Sequence, residues 1–270
     1  MKNAEQITVI IVLRIDSHER SCNLDAVLRY LQPTGIRVLV LEADSENRYK
    51  TWKDFENVDF HFVHDEDPVF HRTHYLNQLL QRCVTPVVAV WDADVILPYV
   101  QLEESLSMIL DENAAMVLPY NQIVMYLSEE QTAACMEAES FQEHLKRFSG
   151  SYRRWLGRPS CGGLFLVNRK IYLRCGGENE RFYGWGPEDA ERIRRMEILG
   201  YHVNVNTQGP LYHLWHPRGE NSIFFNRQIA FNNRLELIRI CSMSTTELTD
   251  DIMSWECRIN ECNQKKGFDN

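Results

Sequence analysis

One stretch constrains this chain more than any other: Pro86 to Pro98, which reads PVVAVWDADVILP. The apolar run Val87-Val88-Ala89-Val90-Trp91 is short, rich in β-branched residues and bounded by prolines. It reads as a strand buried on both faces. The run stops abruptly at Asp92-Ala93-Asp94. If the extended geometry continues, the two carboxylates point to the same side. In an open α/β sheet, that position is the crevice where ligands bind. Two acids at the mouth of a buried strand are costly unless a cation pairs with them. A divalent metal fits, and hard oxygen ligands suit manganese or magnesium. The plainer alternative is that Asp-x-Asp after a strand serves as a helix cap or a turn.

The flanking sequence alternates strands and helices. Residues 7–13 (ITVIIVL) read as a buried strand and residues 24–31 as a helix. Strands follow at 36–41 and 58–63, a helix at 75–83, and the 87–91 strand comes fourth. This rhythm predicts a mostly parallel sheet covered by helices. The second half is less regular. A long polar helix is expected from Ser128 to Phe148, with Ser128 as its N-cap. A strand is expected at 163–168 and a helix at 187–199, with Pro187 in the first turn and Gly200 at its end. A strand at 201–205 and a helix at 226–240 complete the reading. No linker rich in Gly, Pro or Ser interrupts the chain, which therefore reads as one domain.

Composition excludes some classes. The chain has 270 residues, and 44% are hydrophobic, enough for a substantial core. A net charge of −9 argues against nucleic acid as the main partner, because phosphate binding wants a basic face. Eight cysteines are scattered with no CxxC pair, so a zinc site is not expected, and reduced thiols in a cytosolic protein are. The first residues lack a signal peptide pattern, and their apolar run is too short for a membrane span. There is no P-loop, no GxGxxG after the first strand and no GxSxG elbow.

Three further groups carry chemistry. Gly184-Trp185-Gly186-Pro187-Glu188-Asp189 sets an apolar plate between two glycines and two acids directly after it. Such a loop is mobile, and its plate stacks on sugar rings. Acids in a first turn complement the helix dipole; the same dipole keeps a carboxylate ionised and ready to act as a base. His213 and His216 would share a face on a helix, but Pro217 pushes His216 toward an extended conformation. One of them is expected to reach a metal, and the spacing does not settle which. Arg14, Asp16, Arg20, Glu42, Asp44, Arg72 and Asn77 lie near the carboxyl ends of strands. They could line a nucleotide pocket, acids taking base or ribose donors and arginines taking phosphate. Each alone also reads as an ordinary solvated charge.

In combination, these motifs resemble the GT-A fold glycosyltransferases. The β-1,4-galactosyltransferase-like branch and the bacterial polysaccharide transferases similar to it give the best match. The resemblance covers roughly residues 7 to 220. It is most specific in GGLFLVNRKIYLRCGGENERFYGWGPEDAER, which runs from Gly162 to Arg192. It implies a nucleotide-binding half over 1–98, an acceptor and catalytic half over 99–225, and a C-terminal helical segment over 226–270. It further implies an inverting transfer of galactose or an N-acetylhexosamine from a UDP-sugar to a saccharide or glycolipid acceptor.

Residue roles follow from the same resemblance. Asp94 ligates Mn2+ or Mg2+ together with His216 or His213, and Asp92 meets the donor ribose or metal-bound water. Trp91, Gly162 and Gly163 join the donor side. Asp189 deprotonates the acceptor hydroxyl, and Glu188, Trp185 and Gly186 bind the acceptor sugar. Pro187 stands where the family often has glycine, and Ala190 where it has a third acid. Animal members carry a membrane anchor that this chain lacks, so a bacterial cytoplasmic enzyme is implied, with peripheral contact at the inner membrane face compatible. Two rivals remain: a metal-dependent nucleotidyltransferase, and a non-catalytic nucleotide-sugar-binding protein of the same fold.

Overall fold

The structure, a computed structural model, describes residues 1–219 and 225–266, with side chains as far as Trp255. In chain order the strands are β1 (Ile7–Leu13), β2 (Arg37–Asp44), β3 (Val58–His64), β4 (Val87–Trp91), β5 (Val95–Ile96) and β6 (Met116–Leu118). They continue with β7 (Val124–Tyr126), β8 (Arg153–Arg154), β9 (Leu164–Asn168), β10 (Val203–Val205) and β11 (Leu211–His213). The helices are α1 (His18–Leu31), α2 (Arg72–Arg82), α3 (Tyr99–Leu110), α4 (Glu129–Glu137) and α5 (Phe141–Arg147). They end with α6 (Arg169–Arg174), α7 (Glu188–Ile198), α8 (Arg227–Cys241) and α9 (Thr245–Lys266).

The main sheet runs β10-β6-β9-β4-β1-β2-β3. Its strands are parallel except β9, which lies antiparallel between β4 and β6. Every residue of β1 and β4 is buried, as their unbroken apolar runs require. Alternation sorts β1 between the two faces. Ile7, Val9, Ile11 and Leu13 pack with α1 and α3. Ile10 and Val12 pack with α2, α6 and α7. A smaller sheet, β5-β11-β7-β8, begins with β5, directly after the Asp-x-Asp turn that ends β4. It pairs His213 of β11 with Val95 of β5, which brings the late histidines back to the Asp-x-Asp turn.

Several expectations need correction. The polar helix expected over 128–148 is two helices, because Ala138 leaves the helical region and Ser140 caps α5 afresh. Ser128 does cap α4, through a reciprocal capping box with Gln131. Pro187 stands at the N-cap of α7 rather than inside it. The two- and three-residue strands of the smaller sheet were not foreseen. Cys22, Cys83, Cys135, Cys161, Cys175 and Cys241 are free thiols. Among the described residues no helix is long and apolar enough to cross a membrane. Residues 267–270 of the expected C-terminal helical segment lie outside the described residues.

Candidate active site

The turn after β4 is fixed from both sides. The Asp92 amide donates to the Gly163 carbonyl at 2.9 Å, and Leu214 N donates to the Asp94 carbonyl at 2.8 Å. Asp94 is buried and faces both histidines. His216 Nε2 lies 3.2 Å from its Oδ2, and His213 Nε2 lies 3.7 Å from its Oδ1. Each imidazole is oriented by its other nitrogen. His213 Nδ1 lies 2.7 Å from the Leu214 carbonyl and His216 Nδ1 lies 2.9 Å from the Pro217 carbonyl. A carbonyl only accepts, so each Nδ1 donates to one and each Nε2 is left turned toward the carboxylate. One ligand atom from each of the three residues falls within 4.8 Å of the others. Three electron-rich atoms converging in a buried place need a cation between them. Burial lowers the His213 pKa, which disfavours a proton in that role. One carboxylate and two imidazoles so placed fit a divalent metal.

Asp94 itself is held well below the ordinary carboxylate range. Burial pushes it up, but His213, His216 and Arg20 outweigh that penalty. Arg20 reaches in from the first turn of α1. Its Nη1 lies 3.6 Å from Asp94 Oδ2 and its Nε donates to Asp16 at 2.9 Å. Trp155 stacks parallel to the His213 ring, and Arg218 covers the Trp155 ring at 4.4 Å.

A second wall of the site is acidic. Arg72, at the start of α2, donates from Nη2 to Asp92 Oδ1 at 2.5 Å. Asp189 stands in the first turn of α7, and Arg192 three residues on donates to its Oδ1 at 2.7 Å. Oδ2 of Asp189 sits against Gly162, where a Cβ would collide with it. Glu188 is buried, and burial followed by the charge of Asp189 pushes it up to about 8. Two buried polar atoms here make no hydrogen bond among the described residues: Arg72 Nη1 and Glu188 Oε2. Beside them, Trp185 is 44% exposed. Its loop is tied to α8 by Asn233, which donates to the Tyr183 and Trp185 carbonyls at 3.0 and 3.3 Å. Gly184 has φ +70°, and Gly186 packs so closely on Asn233 that a side chain there would clash.

The sequence pattern of the family described as "Glycosyltransferase like family 2" matches residues 8–217. The chain belongs to that glycosyltransferase family. Among solved structures, GalNAc-T7 bound to UDP, GalNAc and Mn2+ superimposes with a TM-score of 0.56 at 11% identity. The match covers 87% of this chain and 47% of that one, and the shared fold is GT-A. Among curated proteins, β-1,4-galactosyltransferase 7 of Mus musculus and of Homo sapiens is 44% identical over 39 residues. That segment is 14% of this chain and 12% of either relative, so the chain matches only a small part of their length.

Within this glycosyltransferase-family domain, the residues expected on the donor side divide. Asp16, Arg20, Arg72, Asp92 and Asp94 lie around the turn that follows β4. Asp44, at the end of β2, keeps Oδ2 buried, with no hydrogen bond among the described residues but with the Arg48 guanidinium 3.4 Å away. The others are braces. Arg14 places Nε on the Ala43 carbonyl, Nη1 on the Asp67 carbonyl and Nη2 on Asp65. Glu42 accepts from the amides of Arg48 and Tyr49 at 2.9 and 3.1 Å. Asn77 donates to the Glu178 carbonyl and to Glu180 and accepts from the Glu178 amide, so it clamps that segment. Trp91 is buried and donates to the Val95 carbonyl. Gly163 has φ +90° beneath Leu211. Sequence reasoning missed Arg192, Glu178, Tyr120 and Asn233. The Asp189–Arg192 spacing of three on a helix was the available signal for the first. Tyr120, which donates to the Gly162 carbonyl at 2.6 Å, gave none.

Proposed function

We propose that this chain is a metal-dependent, inverting glycosyltransferase that moves a galactose- or N-acetylhexosamine-type sugar from a UDP-sugar to a saccharide or glycolipid acceptor. The convergence of Asp94, His213 and His216, with both Nδ1 atoms committed to carbonyls, supports the reading most strongly. These three residues would hold Mn2+ or Mg2+. When bound, the metal supplies charge neutralisation for the diphosphate and for the leaving oxygen. Mn2+ and UDP occupy the GalNAc-T7 structure, which shares the fold.

The protein's own groups supply the rest. Asp189 offers Oδ2 to the acceptor hydroxyl while Arg192 occupies Oδ1. A carboxylate so placed takes the acceptor proton as the new bond forms, as a single displacement with inversion requires. Arg72 Nη1 and the Glu188 carboxyl, whose Oε2 is buried without a partner among the described residues, offer hydrogen bonds to sugar hydroxyls. Trp185 offers an exposed apolar plate at the rim. Asp44 Oδ2, with Arg48 beside it, offers an acceptor toward the nucleoside. Cytoplasmic placement and work on bacterial polysaccharide precursors complete the reading.

The test uses UDP-galactose and UDP-N-acetylgalactosamine with manganese and a panel of aryl glycosides. Acceptor-dependent release of UDP supports the assignment. Release of pyrophosphate would make the chain a nucleotidyltransferase, and tight UDP binding without turnover on any acceptor would make it a binding protein.

A further inference from the structure

We infer that Arg192 and Glu178 are positioning residues that set the direction of the Asp189 carboxylate, with the bare backbone of Gly162 as the opposing surface. The inference rests on the reading of Asp189 as the base. Arg192 is wholly buried, yet all three guanidinium nitrogens are engaged. Nη2 and Nε meet the two oxygens of Glu178 at 2.8 and 3.2 Å. Nε also donates to the Tyr172 hydroxyl at 3.0 Å, and that hydroxyl donates to Glu178 Oε1 at 2.8 Å. The guanidinium carbon lies 4.1 Å from the centre of the Phe165 ring on β9. Only Nη1 points outward, to Asp189 Oδ1 at 2.7 Å. A planar fork gripped on one side by a buried carboxylate and backed by an aromatic face has no freedom to turn. Burial pushes Glu178 up, but Arg192 outweighs it and keeps the carboxyl below its ordinary range, so the grip is charged.

Asp189, by contrast, is 31% exposed on its side chain and stands at the edge of the site. Left alone, a carboxylate there would sample several rotamers. Arg192 fixes one oxygen, and Gly162 leaves room for the other where any Cβ would displace it. The free oxygen therefore meets an incoming hydroxyl from one direction. Misplacing a reacting group by about 1 Å costs on the order of 100-fold in rate. Arg195 shows what a purely supporting arginine does on the same helix. It pairs with Glu191 and caps the Cys175 and Gly177 carbonyls, away from the site.

Three variants test the inference, read by UDP release from UDP-galactose with manganese and an aryl glycoside acceptor. Arg192→Lys keeps the charge Glu178 needs but loses the fork. Its kcat is expected to fall about 10- to 100-fold with donor KM unchanged, and its crystal structure should show Asp189 turned off Gly162. Gly162→Ala should give the same split between kcat and donor KM. Replacing both members, Glu178→Met with Arg192→Met, leaves no unpaired buried charge and should lose more activity than Arg192→Lys. A folded Arg192→Lys with wild-type kcat, or with only donor KM raised, overturns the positioning role. Failure of both Arg192 variants to fold overturns it too, because the pair is then a support of the core. Asp189→Asn is run in parallel. Wild-type turnover there removes the base itself, whereas an inactive Asp189→Asn beside a fully active Arg192→Lys removes only the positioning.

Discussion

Glu188 and Asp189 are consecutive on α7, yet only Asp189 closes an ion pair, with Arg192 at 2.7 Å. Glu188 Oε2 is buried and makes no hydrogen bond among the described residues. Two neighbouring acids therefore have opposite surroundings. Asp189 has a cation within reach of one oxygen, and Glu188 is driven up to about 8 by burial and by the charge beside it. The folded protein holds a proton at Glu188 through neutral pH.

That proton makes stability depend on pH in a definite direction. Between the ordinary glutamate value and about 8, the folded state keeps a proton that the unfolded chain has released. Stability therefore falls as pH rises through this window, by at most about 1.4 kcal/mol per unit from this group. Glu188→Gln removes the slope. Denaturant titrations should show no difference at pH 4 and a more stable variant at pH 8. A difference that stays constant from pH 4 to pH 8 would contradict the assignment.

Metal dependence should be carried by all three converging ligands. Calorimetry of UDP with manganese, repeated with EDTA, is expected to show loss of most affinity in EDTA. His213→Ala and His216→Ala should each weaken manganese-supported UDP binding by more than about tenfold, and Asp94→Ala at least as much. If one histidine variant binds like the wild type, only the other is a ligand.

Asp189→Asn keeps the shape and the bond from Arg192 but cannot take a proton. Turnover should drop by about 100- to 10,000-fold with UDP affinity unchanged. Were Asp189 only a complement to the helix dipole, the change would cost about 0.3–1 kcal/mol of stability and little activity. Melting temperature, UDP affinity and kcat on one preparation decide between these outcomes.

Asn233 links the Trp185 loop to α8. Asn233→Ala strips hydrogen bonds from the Tyr183 amide and from the Tyr183 and Trp185 carbonyls. The expected cost is about 1–3 kcal/mol. Amide exchange over residues 183–186 should rise, and acceptor KM should rise while UDP affinity holds. Unchanged exchange there would show that the loop is held by other contacts.

The sequence was legible wherever burial demanded unbroken apolar runs. β1 and β4 stand out for that reason, and so do the acids that interrupt the pattern directly after β4. The helix cap at Ser128 was readable because its side chain satisfies an amide within its own turn. The smaller sheet was not readable: strands of two or three residues carry no period, and long-range pairing alone defines them. The same limit blurred the donor side. Arg14 and Arg20 are the same residue type, both shortly after β1, and only three-dimensional partners separate the one that braces Asp65 from the one that faces Asp94. For the histidines, spacing and the extended bias from Pro217 leave open which one serves as a ligand; in the fold His216 lies 3.2 Å and His213 3.7 Å from the Asp94 carboxylate.

The antiparallel placement of β9 has a consequence for biosynthesis. β1 to β4 come from one contiguous stretch and can assemble as soon as it is made. The free edge of β4, however, is covered only by β9, with Val88 paired to Val167 about 80 positions later. Until then an entirely apolar strand presents unpaired backbone, a template for joining other chains. A product terminated anywhere before residue 164 carries that exposed edge, along with an Asp94 whose histidines have not yet been made. Fragments that end before β9 therefore carry the edge most open to pairing with other chains.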